Sequence, residues 1–145
     1  MDAKQIAEEW CAAYNKRDSE RFANLMAEDI EYSAPAMNAG FSGRLTNYFE
    51  PHEGDPLPDR RLELIRVFGD GRHAIFEMLW SGTSSGSSEA FGPAGQEVKM
   101  QNCVIIDIND EGLISRGIEY VGTHEGVDLS KLGADTIPHE AARGA

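Results

Sequence analysis

RRLELIRVF (residues 60–68) and RHAIFEMLWSGT (residues 72–83) are joined by Gly69-Asp70-Gly71. This arrangement predicts a β-hairpin, because glycine accepts the positive φ angles of a tight turn. The second strand is apolar on both faces: Ala74, Phe76, Met78 and Trp80 share one face, and Ile75 and Leu79 share the other. A sheet that is apolar on both faces must be shielded from water on both faces. We expect helices to cover one face and a second subunit, in a homodimer, to cover the other.

A second hairpin follows along the chain. Its strands are predicted at residues 96–108 and 113–122, with Asn109-Asp110-Glu111-Gly112 as the turn. Together the two hairpins predict an antiparallel meander of four long strands.

Helical patterns precede these strands. Apolar residues at three- and four-residue spacing, including Ile6, Trp10 and Tyr14, predict a helix over residues 3–17. A short second helix capped by Asp18 carries Phe22, Leu25 and Met26, and a strand from Ile30 ends at Pro35. A third helix, capped by Ser42, would carry Leu45, Tyr48 and Phe49. We therefore predict one α+β domain over residues 1–133, in which a cone-shaped curved antiparallel sheet wraps three N-terminal helices. Residues 134–145 form a tail of low apolar content.

Composition limits the classes of partner. The 145 residues include 25 acidic and 13 basic ones, a formal charge of −12. This charge repels phosphate backbones and anionic headgroups, so we expect neither nucleic acid nor membrane as a partner. Cys11 and Cys103 lack metal-ligand spacing and the four histidines lie far apart, so we expect no metal and no cofactor. Two thiols and an N-terminus without an apolar block predict a cytoplasmic protein.

Several separated pieces of sequence resemble a known family. They are WCAAYNKRD (residues 10–18), LMAEDIEYSAP (25–35), EMLWSGT (77–83), EGLISRGIEYVG (111–122) and LSKLG (129–133). In their order and spacing they are similar to the SnoaL-like polyketide cyclases, within the nuclear transport factor 2-like and ketosteroid isomerase-like superfamily. The resemblance implies a cystatin-like α+β barrel around a pocket. The superfamily includes isomerases, cyclases, epoxide hydrolases, dehydratases (lyases) and binding domains, so the fold alone does not define the function.

The resemblance also implies a candidate acid–base residue. The aspartate of the resembling cyclases corresponds to Glu119 on the last strand, whereas the base of the ketosteroid isomerases would fall near Ala34, which cannot take a proton. An apolar pocket would raise the pKa of Glu119 towards neutrality, where general acids and bases work best. Asn102 or Tyr32 would stabilise an enolate oxygen by donating a hydrogen bond to it. The predicted pocket is lined by Trp10, Tyr14, Phe22, Met26, Phe76, Met78, Trp80, Met100 and Val104.

These residues predict a cofactor-independent acid–base enzyme for a small, apolar carbonyl compound, of the cyclase or isomerase kind. A non-catalytic ligand-binding or assembly domain, whose pocket holds a molecule without turning it over, is an alternative. The corresponding non-catalytic role of Glu119 is a salt bridge with Arg116, Arg72 or a partner subunit. A third reading is an epoxide hydrolase, in which Glu119 activates water and Glu77 and Arg72 supply the second carboxylate and the arginine.

Overall fold

The computed structural model describes residues 1–132, so the predicted domain end at residue 133 and the tail at 134–145 lie outside the described residues. Within residues 1–132 there are two α-helices, α1 (Ala3–Lys16) and α2 (Ser19–Asn24). The strands are β1 (Met26–Ala34), β2 (Ala39–Ser42), β3 (Arg61–Gly69), β4 (His73–Thr83), β5 (Glu97–Ile108) and β6 (Ile114–Glu125). Short 3₁₀ turns lie at Pro35–Met37, Glu89–Phe91 and Leu129–Lys131.

The six strands form one curved sheet in the order β2-β1-β6-β5-β4-β3. The two predicted hairpins are present as β3–β4 and β5–β6. The prediction of a purely antiparallel sheet was wrong, because β1 runs parallel to β6 and pairs antiparallel with β2. The chain passes from β2 to the far edge of the sheet before it returns, and this long-range pairing leaves no local signal in the sequence.

Helix α1 lies against the concave face of β3, β4 and β5. It begins at a capping box. The Asp2 side chain accepts a hydrogen bond from the backbone N–H of Gln5, and the Gln5 side chain accepts one from the backbone N–H of Asp2. Its stripe of Ile6, Trp10 and Tyr14 is buried, as the spacing predicted. The main core therefore lies between α1 and the inner face of the sheet.

The predicted third helix was wrong. Ser42 ends strand β2, and its hydroxyl donates to Glu31 (2.6 Å) rather than to a helix N-terminus. Gly43 and Asn47 have φ angles of 90° and 55°, and left-handed backbone at these positions interrupts a helix. Leu45 and Phe49 are nevertheless buried, because the irregular segment folds over the core. Met26 was also assigned to the wrong element, since it begins β1.

The outer face of the sheet carries apolar side chains that the described residues leave uncovered. Phe68 is 59% exposed, Tyr120 is 52% exposed and Ile75 is 44% exposed. They lie on three different strands, and the strand registers bring Phe68 opposite Ile75. Among the helices of residues 1–132, none has the length and apolarity that a bilayer crossing requires.

Candidate functional site

A cavity of about 140 Å³ opens between α1, the inner face of the sheet and the segment that follows β2. This is about ten times the roughly 15 Å³ that one water molecule needs. Its wall is predominantly apolar, and of the residues among 1–132 that line it only Glu119 has an acidic or basic side chain. The cavity can therefore hold an organic molecule of several heavy atoms.

Glu119 reaches the cavity because of its position in β6. Gly117 and Glu119 lie on the inner face of this strand, while Ile118 and Tyr120 lie on the outer face. Glu119 as a whole residue is 8% exposed. Within residues 1–132 it forms no ion pair, and the predicted salt bridge with Arg116 or Arg72 is absent. Glu119 is therefore a buried acidic group without a compensating cation in the described part of the chain.

Two side chains hold the carboxylate. The Tyr32 hydroxyl donates to Oε1 of Glu119 (2.5 Å), and the Asn102 amide donates to Oε2. Tyr32 comes from β1, which pairs with β6 so that Tyr32 lies beside Gly117. Asn102 comes from β5 and is 1% exposed. The parallel pairing of β1 with β6 thus brings Tyr32 to Glu119, and the antiparallel pairing of β5 with β6 brings Asn102 there.

Burial raises the pKa of Glu119 above its ordinary value of 4.5, because a charged carboxylate loses its hydration in an apolar cavity. The hydrogen bonds from Tyr32 and Asn102 oppose this shift, since both stabilise the ionised form. Burial likewise raises the pKa of Tyr32 well above its ordinary value, and the adjacent Glu119 adds to the shift. Tyr32 therefore stays protonated and acts as a donor. A glutamate with a raised pKa is suited to accepting and returning a proton.

Aromatic rings form much of the cavity wall. Tyr32 stacks on Phe41 with ring centres 5.1 Å apart and meets Trp10 edge-on at 6.0 Å. The Trp80 indole donates to the Tyr14 hydroxyl (2.8 Å), so both polar tips are satisfied within the wall. Cys11 also lines the cavity, but burial raises the pKa of its thiol to about 12, so it remains a protonated thiol.

The structure places most of the candidate pocket residues at the cavity. Those at its wall are Trp10, Tyr14, Phe22, Tyr32, Phe76, Met78, Trp80, Met100, Val104 and Glu119. Asn102 does not line the cavity but donates a hydrogen bond to Glu119. Met26 does not line the cavity; it begins β1 and is fully buried in the core.

Glu77 and Arg72 are not near the cavity. Glu77 lies on the outer face of β4 and pairs with Arg66 (3.1 Å). Arg72 pairs with exposed Asp110, where the two hairpin turns meet. The combination of Glu119, Glu77 and Arg72 that we considered for an epoxide hydrolase is therefore not assembled.

Sequence reasoning missed part of the wall. Phe41, Tyr48 and Phe91 line the cavity but belong to a short strand or to irregular segments, where no periodicity marks an inward side chain. The apolar character of Phe41 and Phe91 within Gly- and Ser-containing stretches was the available signal. It does not distinguish a cavity wall from a filled core.

Residues 7–117 match the model of the SnoaL-like domain family. The chain belongs to the SnoaL-like domain family. In this SnoaL-like domain, Tyr32 and Asn102 lie inside the matched region and Glu119 lies two residues beyond it. The case for Glu119 therefore depends on the geometry above. No curated protein matches the sequence.

Solved structures share the fold. A proposed polyketide cyclase from Pseudomonas putida KT2440 is 20% identical, with a TM-score of 0.68, over 92% of this chain and 99% of that one. A protein of ketosteroid isomerase-like fold from Catenulispora acidiphila, in complex with trimethylamine, is 18% identical (TM-score 0.66) over 93% and 98%. The epoxide hydrolase/cyclase-like enzyme SalBIII, which has a role in pyran ring formation in salinomycin, is 17% identical (TM-score 0.63) over 86% and 95%. At these identities the likeness shows the fold of the SnoaL-like domain.

Proposed function

We propose that this protein is a cofactor-independent enzyme that moves a proton on a small, largely apolar carbonyl compound, with Glu119 as the proton carrier. The observation that carries the proposal is a single buried carboxylate in an apolar cavity, held by Tyr32 and Asn102 and without a basic partner among residues 1–132. The reaction belongs to the cyclase or isomerase kind.

The proposed step begins with Glu119 ionised. Its carboxylate removes a proton from the carbon next to the carbonyl, the C–H electron pair forms the enolate double bond, and the negative charge moves to the carbonyl oxygen. Protonation weakens Glu119 as an acceptor. Tyr32 and Asn102 then have a stronger acceptor in the enolate oxygen, so their hydrogen bonds follow the charge. Return of the proton to another carbon completes an isomerisation. For a cyclisation, the enolate carbon attacks a second carbonyl to form a C–C bond, and the resulting alkoxide takes the proton back from Glu119.

Non-catalytic binding is the second candidate. It is favoured by the apolar, aromatic wall, which is the usual lining of a ligand pocket and needs no proton transfer to hold a molecule. The complex of a structural relative with trimethylamine is consistent with this candidate.

Exchange of α protons tests the proposed function without knowledge of the natural substrate. Cyclohexanone and 1-tetralone would be incubated with the protein in D₂O, and loss of the α-proton signal would be followed by NMR. We expect exchange above the buffer rate, and a decrease of at least ~10²-fold in Glu119→Gln. The matched control is Glu77→Gln, which removes the same charge from the outer face.

Two results would contradict the proposal. One is exchange at the buffer rate for both ketones. The other is an equal rate in wild type and Glu119→Gln. Loss of exchange in Glu77→Gln would show that overall charge, rather than the cavity carboxylate, is responsible.

A further inference from the structure

The cavity combines aromatic walls with an acidic group that no cation neutralises. Aromatic residues from across the described chain line it, among them Trp10, Tyr14, Tyr32, Phe41 and Trp80. The face of each ring carries negative potential, which attracts a weakly hydrated cation. The carboxylate of Glu119 adds a full negative charge at the same cavity when it is ionised.

The basic side chains near the cavity do not neutralise this charge. Arg60 lies beside the wall, with its guanidinium 5.1 Å from the centre of the Tyr48 ring, and it pairs with both oxygens of Asp55 (3.0 Å each). No lysine, arginine or histidine of residues 1–132 pairs with Glu119 or lines the cavity. The groups that face Glu119 are the hydroxyl of Tyr32 and the amide of Asn102, with Tyr14 and Cys11 further along the wall; all four are neutral.

We infer that the cavity binds a small organic cation of the quaternary alkylammonium class, with its positive charge against Glu119 and its alkyl groups against the aromatic rings. Such an ion is weakly hydrated and largely apolar, so it loses little hydration energy in an apolar cavity. A compact, strongly hydrated cation would lose more, and this wall has few polar groups to replace its water. This inference shares a cavity with the proposed function but goes beyond it, because binding requires no turnover.

The charge also gives the binding a defined pH dependence. The cation binds to ionised Glu119, so affinity rises as the pH increases through the pKa of this group in the free protein. By linkage, a bound cation lowers that pKa. Tyr32, Tyr14 and Cys11 remain protonated over this range, because burial raises their pKa values above their ordinary ones.

A matched pair of ligands tests the inference. Choline and 3,3-dimethylbutan-1-ol have the same shape, but the second has a neutral carbon in place of the ammonium nitrogen. Isothermal titration calorimetry with the full chain at pH 8 should show at least tenfold tighter binding of choline. This preference should fall below twofold in Glu119→Gln and persist in Glu77→Gln. In wild type it should shrink at pH 5, a measurement that does not depend on the folding of any variant.

Several outcomes would overturn the inference: equal binding of the two ligands, tighter binding of the neutral alcohol, no binding of either, or a preference that survives Glu119→Gln. Loss of the preference in Glu77→Gln would assign it to the overall charge of the protein. These results are distinct from those of the ketone assay. A protein that exchanges α protons but does not prefer choline keeps the proposed function and overturns this inference; the reverse result keeps the inference alone.

Discussion

Gly117 determines where the Tyr32 ring lies. The two residues are neighbours in the parallel pairing of β1 with β6, and a Cβ atom at Gly117 would come within 2.5 Å of Cδ2 of Tyr32. The absence of a side chain therefore allows the ring to cover the strand and to place its hydroxyl on Glu119.

Gly117→Ala should consequently raise the pKa of Glu119. The added methyl group displaces the Tyr32 ring, and loss of its hydrogen bond removes an interaction that favours the ionised carboxylate. The pKa can be measured by ¹³C NMR with δ-carbon-labelled glutamate, in which the Glu119 signal is assigned by its absence from Glu119→Gln. Tyr32→Phe should raise the pKa in the same direction. Gly71→Ala, where nothing lies within 4 Å of the added Cβ, is the matched control and should leave it unchanged.

A shift in Tyr32→Phe but not in Gly117→Ala would show that the ring tolerates the extra methyl group. Gly117 would then have no role in positioning Tyr32.

For single residues, the sequence predicts which residue types can carry the chemistry better than it predicts which way their side chains face. Glu119 was identified through its correspondence to the acid–base aspartate of the resembling cyclases. Asn102 was named as a candidate, and only one of Asn102 and its neighbour Gln101 can face the cavity because successive side chains of a strand point to opposite faces. The bulge opposite Met100 and Asn102 places its extra residue in β6, so β5 keeps its alternation and Asn102 faces inward with Met100 and Val104.

The segment between β2 and β3 forms part of the cavity wall without regular structure. Arg60 anchors it: its side chain is 4% exposed, and its guanidinium contacts Asp55, the Leu57 carbonyl (3.1 Å) and the Tyr48 ring. If Asp55 is removed, the charge of Arg60 stays buried and its lost hydration is no longer offset by an ion pair. The position of Tyr48 in the wall therefore depends on the ion pair between Arg60 and Asp55.

Asp55→Ala should lower the free energy of unfolding by about 3–5 kcal/mol, the range found when one member of a buried ion pair is removed. Urea denaturation measures this change. The control is Glu9→Ala, which breaks an exposed pair with Arg21 (3.4 Å) and should cost only about 0–1 kcal/mol. Equal effects of the two substitutions would contradict the structural role of Arg60.

The elements were predictable where their signals are local. Alternation gave β3, β4, β5 and β6 to within a few residues, and periodicity gave α1. The third helix failed because Leu45, Tyr48 and Phe49 have helical spacing, whereas the chain has left-handed backbone at Asn47. Core burial of an irregular segment can imitate the apolar pattern of a helix.

At the scale of the molecule, the convex face of the sheet exposes apolar side chains within residues 1–132. Its exposed members include Phe68, Ile75 and Tyr120, and exposed apolar patches commonly mark interfaces between proteins. We predict that two copies bury this face in a symmetric dimer. Multi-angle light scattering at micromolar concentration should therefore give about twice the chain mass of 15.9 kDa.

Ile75→Glu should return the mass to that of one chain, because a charge would be buried without a partner. Thr46→Glu adds the same charge in an exposed part of the segment that follows β2 and should leave the mass unchanged. A single-chain mass for the wild-type protein would contradict the dimer.

The central claim is that Glu119 is a titrating group in an apolar cavity, and its own titration tests this most directly. The ¹³C δ-carbon shift of Glu119 would be followed from pH 3 to pH 9 in the wild-type protein without ligand. Burial outweighs the two hydrogen bonds, so the midpoint should lie above the ordinary value of 4.5. A midpoint at or below 4.5 would show a solvated or ion-paired carboxylate, and Glu119 would then be a structural residue.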